Sequence, residues 1–136
     1  MFSARPEQLI MKESTQDLIK RKSAEFKKGK SLISMKDIGR KGKVYLKREA
    51  WTFLPQSNLP NKVFILERLR KEKFSGDLAY KNSWKKGDIE YRLGYFIVGK
   101  IGRAKGKWVW GQFCPMIPRR DFLKLIKKAK KEKTII

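Results

Sequence analysis

Residues 89–116 read IEYRLGYFIVGKIGRAKGKWVWGQFCPM. A strand pattern over residues 89–101 leads into the glycine-rich turn GRAKGK, and an apolar run with Trp108 and Trp110 follows. β-Branched and aromatic residues on both sides of a short glycine turn are typical of a β-hairpin. Because the first strand is apolar on both faces at its centre, we expect this long hairpin to lie in the middle of an antiparallel sheet.

Helix patterns occur near both ends of the chain. Ser14 and Asp17 have the spacing of a capping box, and the amphipathic pattern after them ends near Gly29, so residues 1–30 are a candidate peripheral helix. After Pro118, four apolar residues repeat at helical spacing: Phe122, Leu125, Ile126 and Ala129. Lysines occupy the other side, which predicts an amphipathic C-terminal helix.

Residues 60–73 have a weaker helical pattern, and we interpret them as a short helix after Pro60. The order is then helix, strands, helix, strands, helix. This order favours an α+β fold with an antiparallel sheet and the helices packed on one face. The length of 136 residues fits a single domain over residues 1–136.

Charge is the strongest functional signal in the sequence. The chain has 35 Lys and Arg against 13 Asp and Glu, a formal net charge of +22. Half of that excess lies in residues 91–136, where 13 basic residues face two acids. Such a charge opposes compaction by self-repulsion and is typical of a protein with a polyanionic partner, for which nucleic acid is the first candidate.

The residue types exclude several classes of site. The single cysteine and the lack of histidine exclude an intramolecular disulfide, a Cys/His zinc site and Ser-His-Asp or Cys-His catalysis. We expect no metal and no cofactor. No apolar run is long enough to span a membrane and no secretory leader is recognisable, so we expect no membrane insertion and a cytoplasmic or nucleoid-associated location.

Two similar glycine loops occur in the chain: IGRKGKVYL at residues 38–46 and IGRAKGKWVW at residues 101–110. The second resembles a phosphate-binding P-loop only superficially, because Gly102 and Gly106 are too close together and Trp108 stands where Ser or Thr is required. We expect the glycines of both loops to form turns, Gly102 and Gly106 with positive φ, and the adjacent cations to contact phosphate. Trp108 and Trp110 fit either the core or a base-stacking platform, and the core is favoured.

These patterns predict a non-catalytic protein that contacts the phosphate backbone of DNA or RNA. A basic hairpin tip and a lysine-rich C-terminal helix would form the contact surface. Trp84 is included because its neighbours are all polar, which predicts an exposed ring. The candidate nucleic-acid-binding residues are Arg40, Lys41, Lys43, Trp84, Arg103, Lys105, Lys107, Arg119, Arg120, Lys124, Lys127, Lys128 and Lys131.

Two alternatives stay open. Asp77, Asp88, Glu90 and Arg92 approximate the acidic motif of a Mg²⁺-dependent nuclease, although Arg92 stands where that motif has lysine. A basic amphipathic helix can also bind an anionic membrane surface or an acidic protein partner. The membrane alternative is weakened because the single apolar stripe of the C-terminal helix is needed for the core.

Overall fold

A computed structural model describes residues 11–29, 32–36, 41–79 and 81–136. Its elements in chain order are α1 (Thr15–Lys28), β1 (Leu32–Lys36), β2 (Lys43–Pro55), β3 (Lys62–Ser75), β4 (Ile89–Val98), β5 (Trp108–Trp110) and α2 (Arg119–Lys131). The strands form one curled antiparallel sheet in the order β1-β2-β3-β4-β5, so each strand pairs with its neighbour in sequence. The predicted single α+β domain with an antiparallel sheet and a C-terminal helix is confirmed.

Helix α1 begins where the capping box predicts. The Ser14 hydroxyl accepts a hydrogen bond from the Asp17 amide at 3.1 Å, and Gly29 follows the last helical residue. The part of the predicted N-terminal segment before residue 11 lies outside the described residues. In the described ranges, no helix combines the length and the apolar character needed to cross a membrane.

The predicted helix over residues 60–73 is wrong, because this segment forms most of β3. β3 is the third of five strands and pairs with β2 on one side and β4 on the other. Its residues 63–67 are all buried. A strand covered on both faces loses the alternation of apolar and polar residues, so its sequence pattern is hard to distinguish from that of a short helix.

The two helices pack on opposite faces of the sheet, whereas we predicted them on one face. Paired residues of neighbouring strands share a face, and successive residues of one strand alternate between faces. The face that α1 covers, here the α1 face, carries Phe53, Val63, Ile65, Phe96 and Val98 around Leu18. The α2 face carries Leu54, Phe64, Leu66 and Tyr95 around Leu125 and Ala129. The middle strands are apolar on both faces, so a helix packs against each face and shields it from water.

The hairpin of residues 89–116 lies at the edge of the sheet rather than at its centre. β5 has three residues, and among the described strands it pairs with β4 alone, with Val98 opposite Trp108 and Phe96 opposite Trp110. The apolar residues on both faces of β4 are explained by the two helices, which sandwich the sheet.

Candidate nucleic-acid interface

Helix α2 presents one side to the sheet and a cationic side away from it. Leu125 and Ala129 are fully buried on the α2 face. Six exposed cations project from the rest of the helix: Arg119, Arg120, Lys124, Lys127, Lys130 and Lys131. Among the described residues, none of the six forms an ion pair. The fold therefore leaves the positive charge of this helix unneutralised.

The acid in the first turn of α2 points inward. Asp121 is 2% exposed, and its carboxylate accepts a hydrogen bond from the Ser57 amide at 2.9 Å. Asp121 lies one turn before Leu125 and takes the buried position that we assigned to Phe122, which is 43% exposed. Arg120 donates to the Ser57 hydroxyl at 2.9 Å, so both residues anchor the start of the helix.

Lys128, a predicted phosphate contact, is engaged inside the fold. Its Nζ donates to the backbone carbonyl of Phe53 at 2.6 Å, and the side chain is half-buried. The bond ties α2 to β2 across 75 residues of sequence. The lysine pattern could not show this contact, since it depends on how the helix docks.

The tip of the hairpin, residues 99–107, has a fixed backbone and free cationic side chains. It presents Arg103, Lys105 and Lys107, all of them exposed. Gly102 and Gly106 adopt positive φ angles of 65° and 78°, as predicted for turn glycines. The Gly106 carbonyl accepts a hydrogen bond from the Lys12 amide at 3.0 Å, which joins the tip to the segment before α1.

The hairpin tip and the first turn of α2 lie at the same end of the sheet. The tip follows Val98, whose amide donates to the Asn61 carbonyl at 3.0 Å. Asp121 of α2 bonds Ser57, and Ser57 and Asn61 both belong to the β2–β3 connection. The structure thus brings the hairpin cations and those of the first turn of α2, Arg119 and Arg120, to one end of the molecule, here the hairpin end.

The first glycine loop lies at the other end of the sheet. Lys43 begins β2, whereas the β2–β3 connection follows Pro55. The 13 residues of β2 span about 40 Å. Lys41 and Lys43 are exposed at this far end, and Arg40 lies outside the described residues. The cations of the two glycine loops are therefore not brought together.

Trp84 also lies at the far end, where it packs onto the sheet. The ring meets Phe74 edge-on with centroids 5.0 Å apart, and the side chain is half-buried rather than exposed as we predicted. Its Nε1 is buried and has no hydrogen-bond partner among the described residues. A cavity of about 390 Å³ lies beside it, lined among others by Leu46 and Leu78.

Of the two hairpin tryptophans, Trp108 lies in the core and Trp110 is partly exposed on the sheet. Trp108 is 8% exposed within the cluster under α1, and its Nε1 donates to the Glu13 carbonyl at 2.9 Å. Trp110 is 39% exposed and lies over Gly94, where a Cβ atom would come within 2.3 Å of the ring. The Arg92 guanidinium lies 4.9 Å from the Trp110 ring centroid.

The four residues of the nuclease alternative are not assembled into one site. Glu90 pairs with Lys71 at 3.2 Å, and Arg92 pairs with Glu67 at 2.7 Å. Asp77 and Asp88 are exposed. Within the described part of the chain, no three His, Cys, Asp or Glu side chains are arranged to hold a metal ion.

Ion pairs between described residues are confined to α1, the sheet and the residues just before α1. Glu67 is fully buried on the α1 face, where Arg48 and Arg92 both bond its carboxylate. A hydrogen bond from Arg70 holds the pKa of Glu49 below its ordinary value, and Arg68 adds to this effect. None of these acids pairs with a cation of α2 or of the hairpin tip.

A second cationic surface lies on the α2 face near the far end, where β1, β2 and β3 are exposed. A register shift between Arg48 and Ala50 interrupts the alternation of faces, so Tyr45 and Lys47 lie on this face although Phe53 lies on the α1 face, and a second shift at Tyr45/Leu46 keeps Lys73 on it as well. Strand register places Lys36 beside Lys43, Ser34 beside Tyr45, Leu32 beside Lys47, Tyr45 beside Lys73, and Lys47 beside Arg70. We call this surface the open sheet. Of this set, only Lys43 is among the phosphate contacts predicted from the sequence, although the alternation of Lys43, Tyr45 and Lys47 along β2 also indicates a cationic strand face with an aromatic residue.

Comparison of the chain with protein-family models, curated proteins and solved structures gives no match. Its function is therefore inferred from its own geometry and charge.

Proposed function

We propose that this chain is a non-catalytic nucleic-acid-binding protein that contacts phosphates through its hairpin end and the outer side of α2. The observation that carries the proposal is the segregation of charge. Glu25 of α1 and Glu49, Glu67 and Glu90 of the sheet are paired with Arg or Lys, whereas the cations of α2 and the hairpin tip have no acidic partner among the described residues.

Two features make this surface suited to a polyanion. First, its cations are exposed side chains on a fixed backbone, so ordering them on a ligand requires no rearrangement of the fold. Second, Asp121 is turned inward and does not oppose a phosphate at the start of the helix. A protein of this kind would be located with nucleic acid, in the cytoplasm or on the nucleoid.

Salt dependence tests the proposal. If about six phosphates are neutralised, the logarithm of the binding constant for duplex DNA falls with the logarithm of salt concentration at a slope of about −5. Fluorescence anisotropy with labelled DNA and RNA measures this slope. Lack of binding at low salt, or a flat salt response, removes the proposal.

The same preparation distinguishes a binder from a nuclease. We expect plasmid DNA and RNA to stay intact when incubated with the protein and Mg²⁺ or Mn²⁺, because the candidate acids do not share a metal position. Cleavage that Glu90→Gln abolishes would establish the nuclease instead.

One observation favours a second candidate, an acidic protein partner. Phe113 and Met116 are 81% and 82% exposed in the loop that leads to Arg119 and Arg120. Exposed apolar side chains beside cations are typical of protein-binding surfaces. A double variant, Phe113→Ser with Met116→Ser, that keeps full affinity for nucleic acid shows that these side chains do not contribute to nucleic-acid binding.

A further inference from the structure

We propose that the open sheet binds single-stranded nucleic acid, with an unpaired base stacked on Tyr45 and phosphates bound by lysines on either side. The inference rests on the proposed function and adds the class of substrate. In this proposal Tyr45 stacks on a base, and Lys47 and Lys73 bind phosphates. Lys43 binds phosphate as part of the open sheet and not as part of the first glycine loop.

The open sheet is exposed because α2 covers only the half of this face nearer the hairpin end. The apolar cluster under α2 is built on Leu54, Phe64 and Tyr95, near the end of β2. Towards the start of β2, this face carries exposed residues: Leu32, Ser34, Lys36, Lys43, Lys47 and Lys73. The opposite face of the same strands is packed, with Leu46 and Leu69 almost fully buried.

Strand geometry arranges these residues in three rows. Lys36 and Lys43 form the first row, Ser34, Tyr45 and Lys73 the second, and Leu32, Lys47 and Arg70 the third. Neighbouring strands lie about 4.8 Å apart, and residues two apart along a strand lie about 6.6 Å apart. Tyr45 therefore has lysines before and after it on the same face, within about 7 Å along β2.

Tyr45 is half-buried, and its neighbours on the two adjacent strands differ in size and charge. The Lys73 Nζ lies 5.1 Å from the ring centroid on the β3 side. On the β1 side the neighbour is Ser34, which is exposed and too small to cover a phenol ring. A base can stack on the side next to Ser34, while Lys73 favours a nearby phosphate.

Charge on the open sheet favours a polyanion over other partners. Among the described residues, Lys36, Lys43, Lys47 and Lys73 form no ion pair. Glu49 is bonded by Arg68 and Arg70, so its charge is already neutralised. In the described part of the chain, Glu72 is a further acid near Arg70, against these four lysines.

The combination of an aromatic ring and flanking cations is specific for unpaired bases. In a duplex the faces of the bases are stacked on one another, so a surface tyrosine cannot reach them. In a single strand each base has a free face, and stacking on an aromatic side chain is tolerant of sequence. We therefore expect the open sheet to prefer single strands over duplexes.

The test uses fluorescence anisotropy with a fluorescein-labelled oligo-dT of about 12 nucleotides and a labelled duplex of the same length. Tyr45→Thr removes the ring and keeps a strand-forming residue, whereas Tyr45→Phe keeps the ring. We expect Tyr45→Thr to weaken single-strand binding about tenfold and Tyr45→Phe to stay within about twofold of wild type. Neither variant changes duplex binding.

A charge-matched pair of variants tests the lysines. Lys43→Gln with Lys47→Gln removes two charges from the open sheet, and Lys20→Gln with Lys27→Gln removes two exposed charges from α1 on the opposite face. The first double variant reduces the single-strand salt slope by about 1.4, and the second leaves it unchanged. These lysines are exposed, so both proteins keep the wild-type unfolding midpoint.

Each outcome decides between the two proposals. Tyr45→Thr with wild-type single-strand affinity, or equal losses for the two double lysine variants, overturns the open-sheet site. If cation variants of α2 and the hairpin tip weaken binding while those of the open sheet do not, the proposed function stands and this inference fails. If the wild-type protein binds neither probe at low salt, both fail.

Discussion

The hydroxyls of Thr52 and Thr134 lie 2.8 Å apart and are both buried, so a hydrogen bond joins the C-terminal part of β2 to the segment after α2. The two residues are 82 positions apart in sequence. The Thr134 amide also donates to the Ala129 carbonyl at 2.9 Å, which closes the end of the helix. This contact holds α2 on its face of the sheet and sets the direction in which its cations point.

We expect Thr134→Val to destabilise the protein by about 1–3 kcal/mol, because the buried Thr52 hydroxyl loses its partner. The double variant Thr52→Val with Thr134→Val should recover most of this loss, since no polar group is then left unpaired. Urea unfolding followed by circular dichroism measures both. A double variant as unstable as the sum of the single variants contradicts the pairing.

Glu67→Gln should cost roughly 3 kcal/mol of folding stability, because it leaves Arg48 and Arg92 without their shared counter-charge on the α1 face. Both arginines keep some exposure, which limits the loss. The control is Glu90→Gln, whose side chain is 59% exposed and should change stability by less than about 0.5 kcal/mol. Equal midpoints of thermal unfolding for the two variants would show that the ion pairs of Glu67 with Arg48 and Arg92 do not contribute to folding stability.

Gly111→Ala should destabilise the protein by about 1–3 kcal/mol, because a Cβ atom there would lie 2.0 Å from the buried Tyr95 ring. Gly29 is the matched control, since a Cβ there meets its nearest atom at 3.4 Å and φ is negative. Differential scanning calorimetry compares the two alanine variants. A larger loss at Gly29 than at Gly111 would contradict the packing.

Stability should fall below about pH 4.5 in a way that depends on Glu49. The hydrogen bond from Arg70 lowers the folded-state pKa of Glu49 from its ordinary value of 4.5, so the folded state binds fewer protons than the unfolded state. Its contribution is complete above the unfolded-state pKa and is lost as pH falls through the folded-state pKa. Glu49→Gln should therefore show a smaller drop in urea midpoint between about pH 7 and pH 3 than wild type.

Alanine at both Arg103 and Lys105 should weaken nucleic-acid binding equally for all sequences and reduce the salt slope by up to about two units. Alanine at Lys124, Lys127 and Lys131 together should act in the same way. Both variants should keep folding stability within about 0.5 kcal/mol, because the five side chains are exposed. Wild-type affinity for both variants at one fixed salt concentration would remove the hairpin end and α2 as the contact surface.

Local patterns predicted several elements correctly. Ser14 and Asp17 are three residues apart, and their side-chain-to-backbone bond defines the start of α1 without help from the rest of the fold. Gly102 and Gly106 were placed in turns because their residue type favours positive φ, and both adopt it. Leu125 and Ala129 were predicted as buried by their helical spacing, and both are buried.

Other features could not be predicted because they depend on which distant segments meet. Lys128 has the same local pattern as Lys124, but only Lys128 reaches the Phe53 carbonyl. Trp84 has polar neighbours in sequence, but it packs on Phe74 once the loop folds back over the sheet.

The sequence by itself determined the charge of the chain, its α+β class, the cap of α1, the turn glycines and the amphipathic C-terminal helix, since each depends on composition or on residues a few positions apart. The tertiary structure alone decided that residues 62–75 form the central strand, that the helices cover opposite faces, and that the two glycine loops lie at opposite ends of the sheet. The physical reason is that a strand has few stabilising contacts of its own: its identity, register and face are set by neighbours that the chain brings together from far along its length.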